Sequence, residues 1–276
     1  MNLMFPYARI FWKILFQFRE YKPKAVNLLS VWEWLSQFPK PWRRHLFLLL
    51  DKIDFISEKE AIRNLIELNN NIIKRLEVEG VRFDRIIYIA SDTAASSSHI
   101  MLGLLRDNEN LERKGAKLIS SRDAHFIQEI TSQIGTGAII YVDDFAGTGK
   151  QFTRNRKWSA QFIFGAFSEF FLAPVICEEA FHRIEDVGVV PITNNIYKIN
   201  QRPLHSDCRM LSDSDRSGIV ELCMKINPKE GLGFNKLATM IVFYRNAPNT
   251  TPLIFRGSLK QSPYKGIFPR TDDLTY

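Results

Sequence analysis

The chain has 276 residues, of which 45% are hydrophobic and 24% are charged, a composition that excludes disordered and fibrous proteins. It carries 37 basic and 30 acidic residues, a formal net charge of +7 that favours a polyanionic ligand or partner. Its three cysteines form no C-x-x-C pair and its five histidines are scattered singly, so we expect a reduced, cytoplasmic protein without a metal cage.

The first 80 residues predict a separate helical region. Residues 10–18 are apolar but are interrupted by Lys13 and Gln17, which favours an amphipathic helix over a signal peptide or a transmembrane segment. Residues 31–79 show helical spacing, and a capping box at residues 57–60 opens the last helix. Four of the five tryptophans lie in this region, which predicts a buried interface, either within the protein or with a partner.

After residue 80, apolar runs alternate with helical segments. Strands are predicted at residues 85–90, 117–120, 139–142, 170–177, 188–192 and 237–244. This alternation predicts an α/β fold with a parallel sheet, right-handed crossovers and flanking helices. We therefore predict a helical region at residues 1–80 and an α/β domain at residues 81–276.

The central run, residues 139–142, is a series of β-branched and aromatic residues that ends in Asp143 and Asp144. Such a run is typical of a parallel strand buried on both faces. Ligands of open α/β sheets bind beyond the carboxyl ends of the strands, where backbone N–H groups at the start of a helix can hold a phosphate. The loop that follows supplies small residues for this purpose: Ala146, Gly147, Thr148, Gly149 and Lys150.

Two common nucleotide motifs are excluded at this loop. A P-loop needs a glycine five residues before Gly149, where the chain has Asp144, and a hydroxyl residue where it has Gln151. The dinucleotide motif G-x-G-x-x-G fails because Phe152 stands at its last glycine. A ligand-free alternative is a strand that ends in an Asp-Asp turn with a glycine cap.

The remaining pattern resembles the phosphoribosyl pyrophosphate (PRPP) motif of type I phosphoribosyltransferases. The resemblance implies that Asp143 and Asp144 hydrogen-bond the ribose hydroxyls and that residues 146–150 hold the 5′-phosphate. Displacement at the anomeric carbon passes through an oxocarbenium-like state, which nearby carboxylates stabilise. The resemblance also implies Mg²⁺ that bridges pyrophosphate and ribose oxygens.

The loop after the first strand of the α/β domain is the candidate pyrophosphate site, because the family has its pyrophosphate loop there. Small hydroxyl residues and converging backbone amides suit phosphate oxygens, although a serine-rich surface turn is the alternative. Where relatives tend to show Ser-Gly in this loop, this chain has Ser97-Ser98, and the extra Cβ restricts close backbone approach. The predicted ligands are Asp92, Ser96, Ser97 and Ser98.

A basic cluster follows the predicted phosphate loop. It comprises Lys150, Arg154, Arg156 and Lys157. The cluster is either a solvated helix face or a flank for phosphate.

The two ends of the chain are similar to phosphoribosyltransferase-like effectors of prokaryotic conflict systems. The matching features are W-L-x-Q-F at residues 34–38, P-N-T-T-P at 248–252 and F-P-R at 268–270, so the resemblance covers roughly residues 31–270. It implies an antiphage effector that depletes or modifies nucleotides. Some such effectors are encoded beside a retron reverse transcriptase with its non-coding RNA/DNA and a helix-turn-helix protein, which are implied partners.

Two functions are therefore predicted. The first is an enzyme that makes or breaks the N-glycosidic bond at ribose C1′, with PRPP or a nucleotide as substrate. The alternative is a catalytically silent nucleotide-binding or assembly module that docks on a complex of reverse transcriptase and nucleic acid.

Overall fold

The computed structural model describes residues 4–92, 96–120, 122–257 and 262–270. Its helices in chain order are α1 (Met4–Trp12), α2 (Leu28–Ser36), α3 (Lys40–Leu49), α4 (Glu58–Val78), α5 (Ser97–Glu109), α6 (Ala124–Ile134), α7 (Lys150–Ser159), α8 (Glu178–Glu185), α9 (Asp213–Ile226) and α10 (Leu253–Arg256). Its strands are β1 (Asp54–Ile56), β2 (Ile86–Ala90), β3 (Lys117–Ser120), β4 (Thr136–Val142), β5 (Phe145–Ala146), β6 (Ala166–Leu172), β7 (Val175–Cys177), β8 (Val190–Ile192), β9 (Asn195–Tyr197) and β10 (Ile241–Phe243).

Contacts divide the chain into two units, which differ from the predicted regions. The first unit combines Met1–Glu58 with Lys198–Tyr276, and the second is Lys59–Tyr197. Most of α4 therefore belongs to the α/β unit, where the Tyr88 hydroxyl donates to Asn69 Oδ1 at 2.7 Å. The sequence-based boundary at residue 80 follows the change from helical to mixed patterning, whereas the contacts join segments that are distant in sequence.

The second unit contains a sheet of five parallel strands in the order β3-β2-β4-β6-β8. This confirms the predicted α/β class with a parallel sheet. Every residue of β2 is buried, as expected for a strand that is covered on both faces. The strand order reverses between β2 and β4, and such a reversal opens a crevice at the carboxyl ends of those two strands.

Helices cover the sheet. On one face, Phe152 of α7 contacts the Tyr141 and Phe171 rings, with centroids 5.2 and 4.5 Å apart. Ala180 and Ile184 of α8 belong to the same core cluster. This packing fixes the start of α7 next to the carboxyl end of β4.

A second parallel sheet, β5-β7-β9, extends the strands of the first. Each of its strands begins after a two-residue break at the end of β4, β6 or β8. The prediction of a single strand at residues 170–177 is therefore wrong, because Pro174 lies in the break and has no N–H for a ladder. In the central strand the break consists of Asp143 and Asp144.

The first unit is held together by contacts between both ends of the chain. Strand β10 pairs with β1, with Asp54 opposite Ile241, so the predicted last strand is shorter than residues 237–244 and lies outside the five-stranded sheet. The Trp34 indole N–H donates to the Ile254 carbonyl at 2.7 Å. The Phe268 ring contacts Phe18, with centroids 5.1 Å apart.

The aromatic residues of the N-terminal segment have two environments. Trp34 is 2% exposed, whereas Trp12 and Trp32 are 51% and 67% exposed. The predicted buried interface therefore exists around Trp34, and the other two side chains face outward. None of the described helices is both long and apolar enough to span a membrane.

Candidate active site

Asp143 lies in the crevice where the strand order reverses. Its N–H donates to the Leu172 carbonyl at 3.0 Å, and the Ser91 N–H donates to the Val142 carbonyl at 3.2 Å. These ladder bonds fix the backbone immediately beyond β4 and β2. The predicted acidic pair and the predicted pyrophosphate loop (residues 92–98) therefore start side by side.

Three donors orient the Asp143 carboxylate. The Ser91 hydroxyl donates to Oδ2, and the Ser97 hydroxyl donates to Oδ1 at 3.3 Å. The Asp144 N–H also donates to Oδ1, at 2.9 Å. The side chain is thus held in one orientation by groups from both loops, the preorganisation that a charge-stabilising site needs.

Burial raises the pKa of Asp143 well above its ordinary value, and the charge of Asp144 raises it further. The hydrogen bonds from Ser91 and from the Asp144 N–H act in the opposite direction but are the smaller effects. The acidic pair therefore favours a bound proton in the absence of a cation. A positive charge that develops beside the acidic pair favours the state in which both carboxylates are ionised. The two negative charges then stabilise that positive charge.

The predicted phosphate loop (residues 146–150) leads directly into α7. Thr148 Oγ1 accepts from the Lys150 N–H at 3.4 Å. Gly149 is the N-cap of α7 with a φ of 69°, a left-handed conformation that side chains disfavour. A Cβ at this position would lie 3.2 Å from the Ala180 Cα of α8. The loop therefore requires glycine for its conformation and for close packing.

Arg183 of α8 supports the same loop from one side. Its Nη1 donates to the Thr148 carbonyl. Because the peptide is trans, the N–H of Gly149 points in the opposite direction, away from Arg183. That N–H and the first N–H groups of α7 are a suitable set of donors for an anion.

The predicted pyrophosphate loop is partly closed by its own hydrogen bonds. Ser98 is fully buried, its Oγ accepts from the Asp92 N–H at 3.1 Å, and it lies 2.7 Å from the Ser96 Oγ. The Ser98 and Ser96 hydroxyls thus brace the loop, while Ser97 points to Asp143. Residues 93–95 of the predicted loop lie outside the described part of the chain.

Helix α7 joins the two loops. The Gln151 amide donates to Asp92 Oδ2. The Asn155 amide donates to the Ser91 carbonyl at 2.9 Å and to Asp92 Oδ1 at 3.3 Å. The helix that begins at the phosphate loop is therefore hydrogen-bonded to the loop after β2.

Several residues of the site were not found by sequence reasoning. Gln151 and Asn155 are spaced i and i+4 and share a helix face, and this spacing of two amides directly after the phosphate loop is the signal that could have identified them. The burial of Asn155, which is 3% exposed, is visible only in the structure. Ser91 was visible only as part of a serine-rich run. Nothing in the local sequence of Arg183 indicates its bond to a loop 35 residues earlier.

The donor set of the site suits a hard divalent cation. Among the described residues, no group of three or more His, Cys, Asp or Glu side chains is arranged to hold a metal. The carboxylates of Asp143 and Asp144 and the hydroxyls of Ser91 and Ser97 are oxygen donors, which Mg²⁺ prefers. A Mg²⁺ ion that takes its other ligands from substrate oxygens fits this set.

The PRTase-CE family model matches residues 31–270 of this chain. The chain belongs to the PRTase-CE family. PRTase abbreviates phosphoribosyltransferase, so the family is phosphoribosyltransferase-like, as the acidic pair and its loop led us to expect. Both loops of the site lie inside the matched segment.

One solved structure similar to this PRTase-CE protein is orotate phosphoribosyltransferase from Aeropyrum pernix. The two chains share 16% identity, and the match covers 49% of this chain and 68% of the other with a TM-score of 0.33. No curated protein matches the chain.

Proposed function

We propose that this PRTase-CE protein is an enzyme that makes or breaks an N-glycosidic bond at ribose C1′, with PRPP or a nucleotide as its substrate. The observation that carries the proposal is the position of the acidic pair. Asp143 and Asp144 occupy the break at the end of the central strand, and one short loop later Gly149 opens the N-terminus of α7. Carboxylates suited to a diol and backbone amides suited to a phosphate are therefore separated by one short loop.

In the proposed complex, Asp143 and Asp144 accept hydrogen bonds from the ribose 2′ and 3′ hydroxyls. The 5′-phosphate accepts from the Gly149 N–H and the first N–H groups of α7, with Thr148 and Lys150 beside it. The Ser91 and Ser97 hydroxyls of the loop after β2 donate to Asp143. Asp92 follows Ser91 in this loop, which is the position proposed for pyrophosphate or another leaving group.

The acidic pair acts by charge and position. As the bond at C1′ breaks, positive charge develops on the ribose ring, and the carboxylates stabilise it. Magnesium, when bound with the substrate, would neutralise the oxygen charge of the leaving group. Asp143, held by Ser91 and Ser97, and Asp144 are the residues that would contact it.

The biological role that we propose is an effector of antiphage defence, which depletes or modifies nucleotides. The support is membership of the PRTase-CE family together with the resemblance of the chain ends to effectors of conflict systems. A reverse transcriptase, its non-coding RNA/DNA and a helix-turn-helix protein are the proposed partners. The outward-facing Trp12 and Trp32 would suit contact with a protein partner.

Incubation of the purified protein with Mg²⁺ and a panel of PRPP, nucleobases and nucleotides tests the proposal, with products identified by mass spectrometry. We expect a base to be released from, or transferred to, C1′ of a ribose 5-phosphate group. This product should be lost when Asp143 and Asp144 are both replaced by Asn. The same panel is run with the proposed operon partners present.

Absence of turnover under both conditions would contradict catalysis. If calorimetry then shows tight nucleotide binding without any product, the protein is the nucleotide-binding module instead.

A further inference from the structure

A groove with a cationic lining lies between α7 and α8, on the Arg183 side of the phosphate loop. It has a volume of about 580 Å³, and five of its seven lining residues are basic. These residues are Lys150, Arg154, Arg156, Lys157 and Arg183. Val187 and Thr153 complete the lining.

The cations of the groove fall into two classes. Arg156 is paired with Glu169, with Nη2 and Oε1 2.6 Å apart, and Arg183 is bonded to the Thr148 carbonyl. In the described part of the chain, Lys150, Arg154 and Lys157 make no ion pair with a carboxylate, and all three are exposed. Like charges that are held together repel one another, and an anion in the groove relieves that repulsion.

The three unpaired cations form a line. Their spacing of i, i+4 and i+7 places them on one face of α7, and a rise of 1.5 Å per residue gives a stripe about 10 Å long. Phosphates of one nucleic-acid strand follow one another about every 3.4 Å along a duplex axis, so about three of them fit this length. The stripe begins at Lys150, the last residue of the phosphate loop.

The lining favours a phosphodiester backbone over a membrane surface. Membrane-surface binding needs bulky apolar side chains next to the basic residues, and here the apolar contribution is Val187. A groove lined by three arginines and two lysines suits contact with phosphates.

We propose that the α7–α8 groove binds the phosphodiester backbone of a single-stranded nucleic acid. The groove lies on the Arg183 side of the phosphate loop, and binding of the strand there involves no reaction at ribose C1′. It therefore holds or fails independently of the proposed reaction.

The test is fluorescence anisotropy with labelled oligonucleotides of about twelve nucleotides, measured at several salt concentrations without any substrate. Separate arms contain single-stranded RNA, single-stranded DNA and duplex DNA. Wild-type protein is expected to bind a single strand with a slope of log affinity against log salt of about −2, which corresponds to about three neutralised phosphates.

The charge-reversal variant Arg154→Glu with Lys157→Glu is expected to bind the oligonucleotide at least about tenfold more weakly and to lose most of the salt slope. A matched control carries the same change of charge on α4, Arg63→Glu with Lys74→Glu, at two exposed positions of the same unit. The control should bind as wild type does. Melting curves of both variants confirm that they are folded.

Preference for the RNA or the DNA arm identifies the natural strand, and either result supports the proposal. Tighter binding of duplex DNA than of either single strand would overturn it. So would wild-type binding by the groove variant, an equal loss in the α4 control, or no binding of any strand by wild-type protein.

Discussion

Asp143 and Asp144 are adjacent carboxylates in a half-buried position, and each is expected to stabilise positive charge on the substrate. Replacing both by Asn preserves size and much of the hydrogen bonding but removes the charge. Loss of one charge-stabilising group commonly raises a barrier by about 3 kcal/mol, or about a hundredfold in rate. We therefore expect turnover, and any protection against phage, to fall at least that far in the double variant.

The fold of the double variant should remain intact, because two carboxylates that repel each other have been removed. A melting temperature equal to or above that of the wild type is the expected control result. A normal melting curve with undiminished turnover would show that the acidic pair has no part in catalysis.

The raised pKa of Asp143 predicts a pH dependence of stability. In the unfolded chain an aspartate has a pKa of about 3.9, so the stability that a neutral Asp143 contributes is fully present below about pH 4. It is lost as the pH rises through the higher pKa of the folded state. Asn does not titrate and does not incur this loss.

The free energy of unfolding of Asp143→Asn, measured by urea titration, should therefore equal that of the wild type near pH 4. It should exceed the wild-type value at neutral pH, by about 1.4 kcal/mol for each unit by which the pKa is raised. The same substitution at exposed Asp207 controls for the change in net charge. A difference between variant and wild type that does not vary with pH would contradict the raised pKa.

At the scale of elements, α8 is the support on which the phosphate loop rests. Gly149 and Gly188 both have a left-handed φ, of 69° and 76°, but only Gly149 faces a close neighbour, the Ala180 backbone. Gly188→Ala should cost about 1–2 kcal/mol of unfolding free energy from conformation alone. Gly149→Ala should cost about 1–3 kcal/mol more, because α8 must move to accept the Cβ.

Urea titration of the two alanine variants measures this difference directly. If the two variants lose the same stability, the loop does not depend on close packing against α8. Substrate affinity should fall only for Gly149→Ala, since a Cβ at Gly188 meets no atom within 4 Å and displaces no part of the loop.

The elements that the sequence predicted are those with local signals. The apolar run at residues 139–142 predicted the position of β4 and its last residue correctly, but β4 begins three residues earlier, at Thr136. Gly137 lies within the strand. Glycine is needed at this position because an added Cβ would lie 2.1 Å from the Arg85 carbonyl oxygen. Such a close approach between strands depends on tertiary structure and leaves no apolar pattern to read.

In the candidate site, too, the residues that could be predicted are those with a local sequence signal. Asp143, Asp144 and the loop to Lys150 are contiguous, so their spacing could be recognised. Asn155 and Arg183 reach the site through helices that pack on the sheet, and their roles depend on contacts that no single segment specifies.

At the scale of the whole molecule, the first unit depends on residues near both ends of the chain. Phe268 is fully buried, and its ring lies 5.1 Å from Phe18 and 5.3 Å from Tyr21. The Tyr21 hydroxyl donates to the Pro269 carbonyl at 2.7 Å. Phe268→Ala should therefore lower the unfolding free energy by about 3–5 kcal/mol.

Phe234→Ala is the matched control, since Phe234 belongs to the same unit but is 38% exposed. Its cost should be less than half as large. Denaturation followed by tryptophan fluorescence measures both variants. A small effect of Phe268→Ala would show that the two ends of the chain do not stabilise each other.

Strand β1 pairs with β10, and this pairing sets an order of events on the ribosome. Residues 59–197 leave the exit tunnel as one continuous stretch and can fold as soon as they emerge. The first unit must wait, because β1 has no partner strand until Ile241–Phe243 has been translated. The unit that carries Asp143 can thus fold before residues 241–243 are translated, while β1 remains unpaired until then.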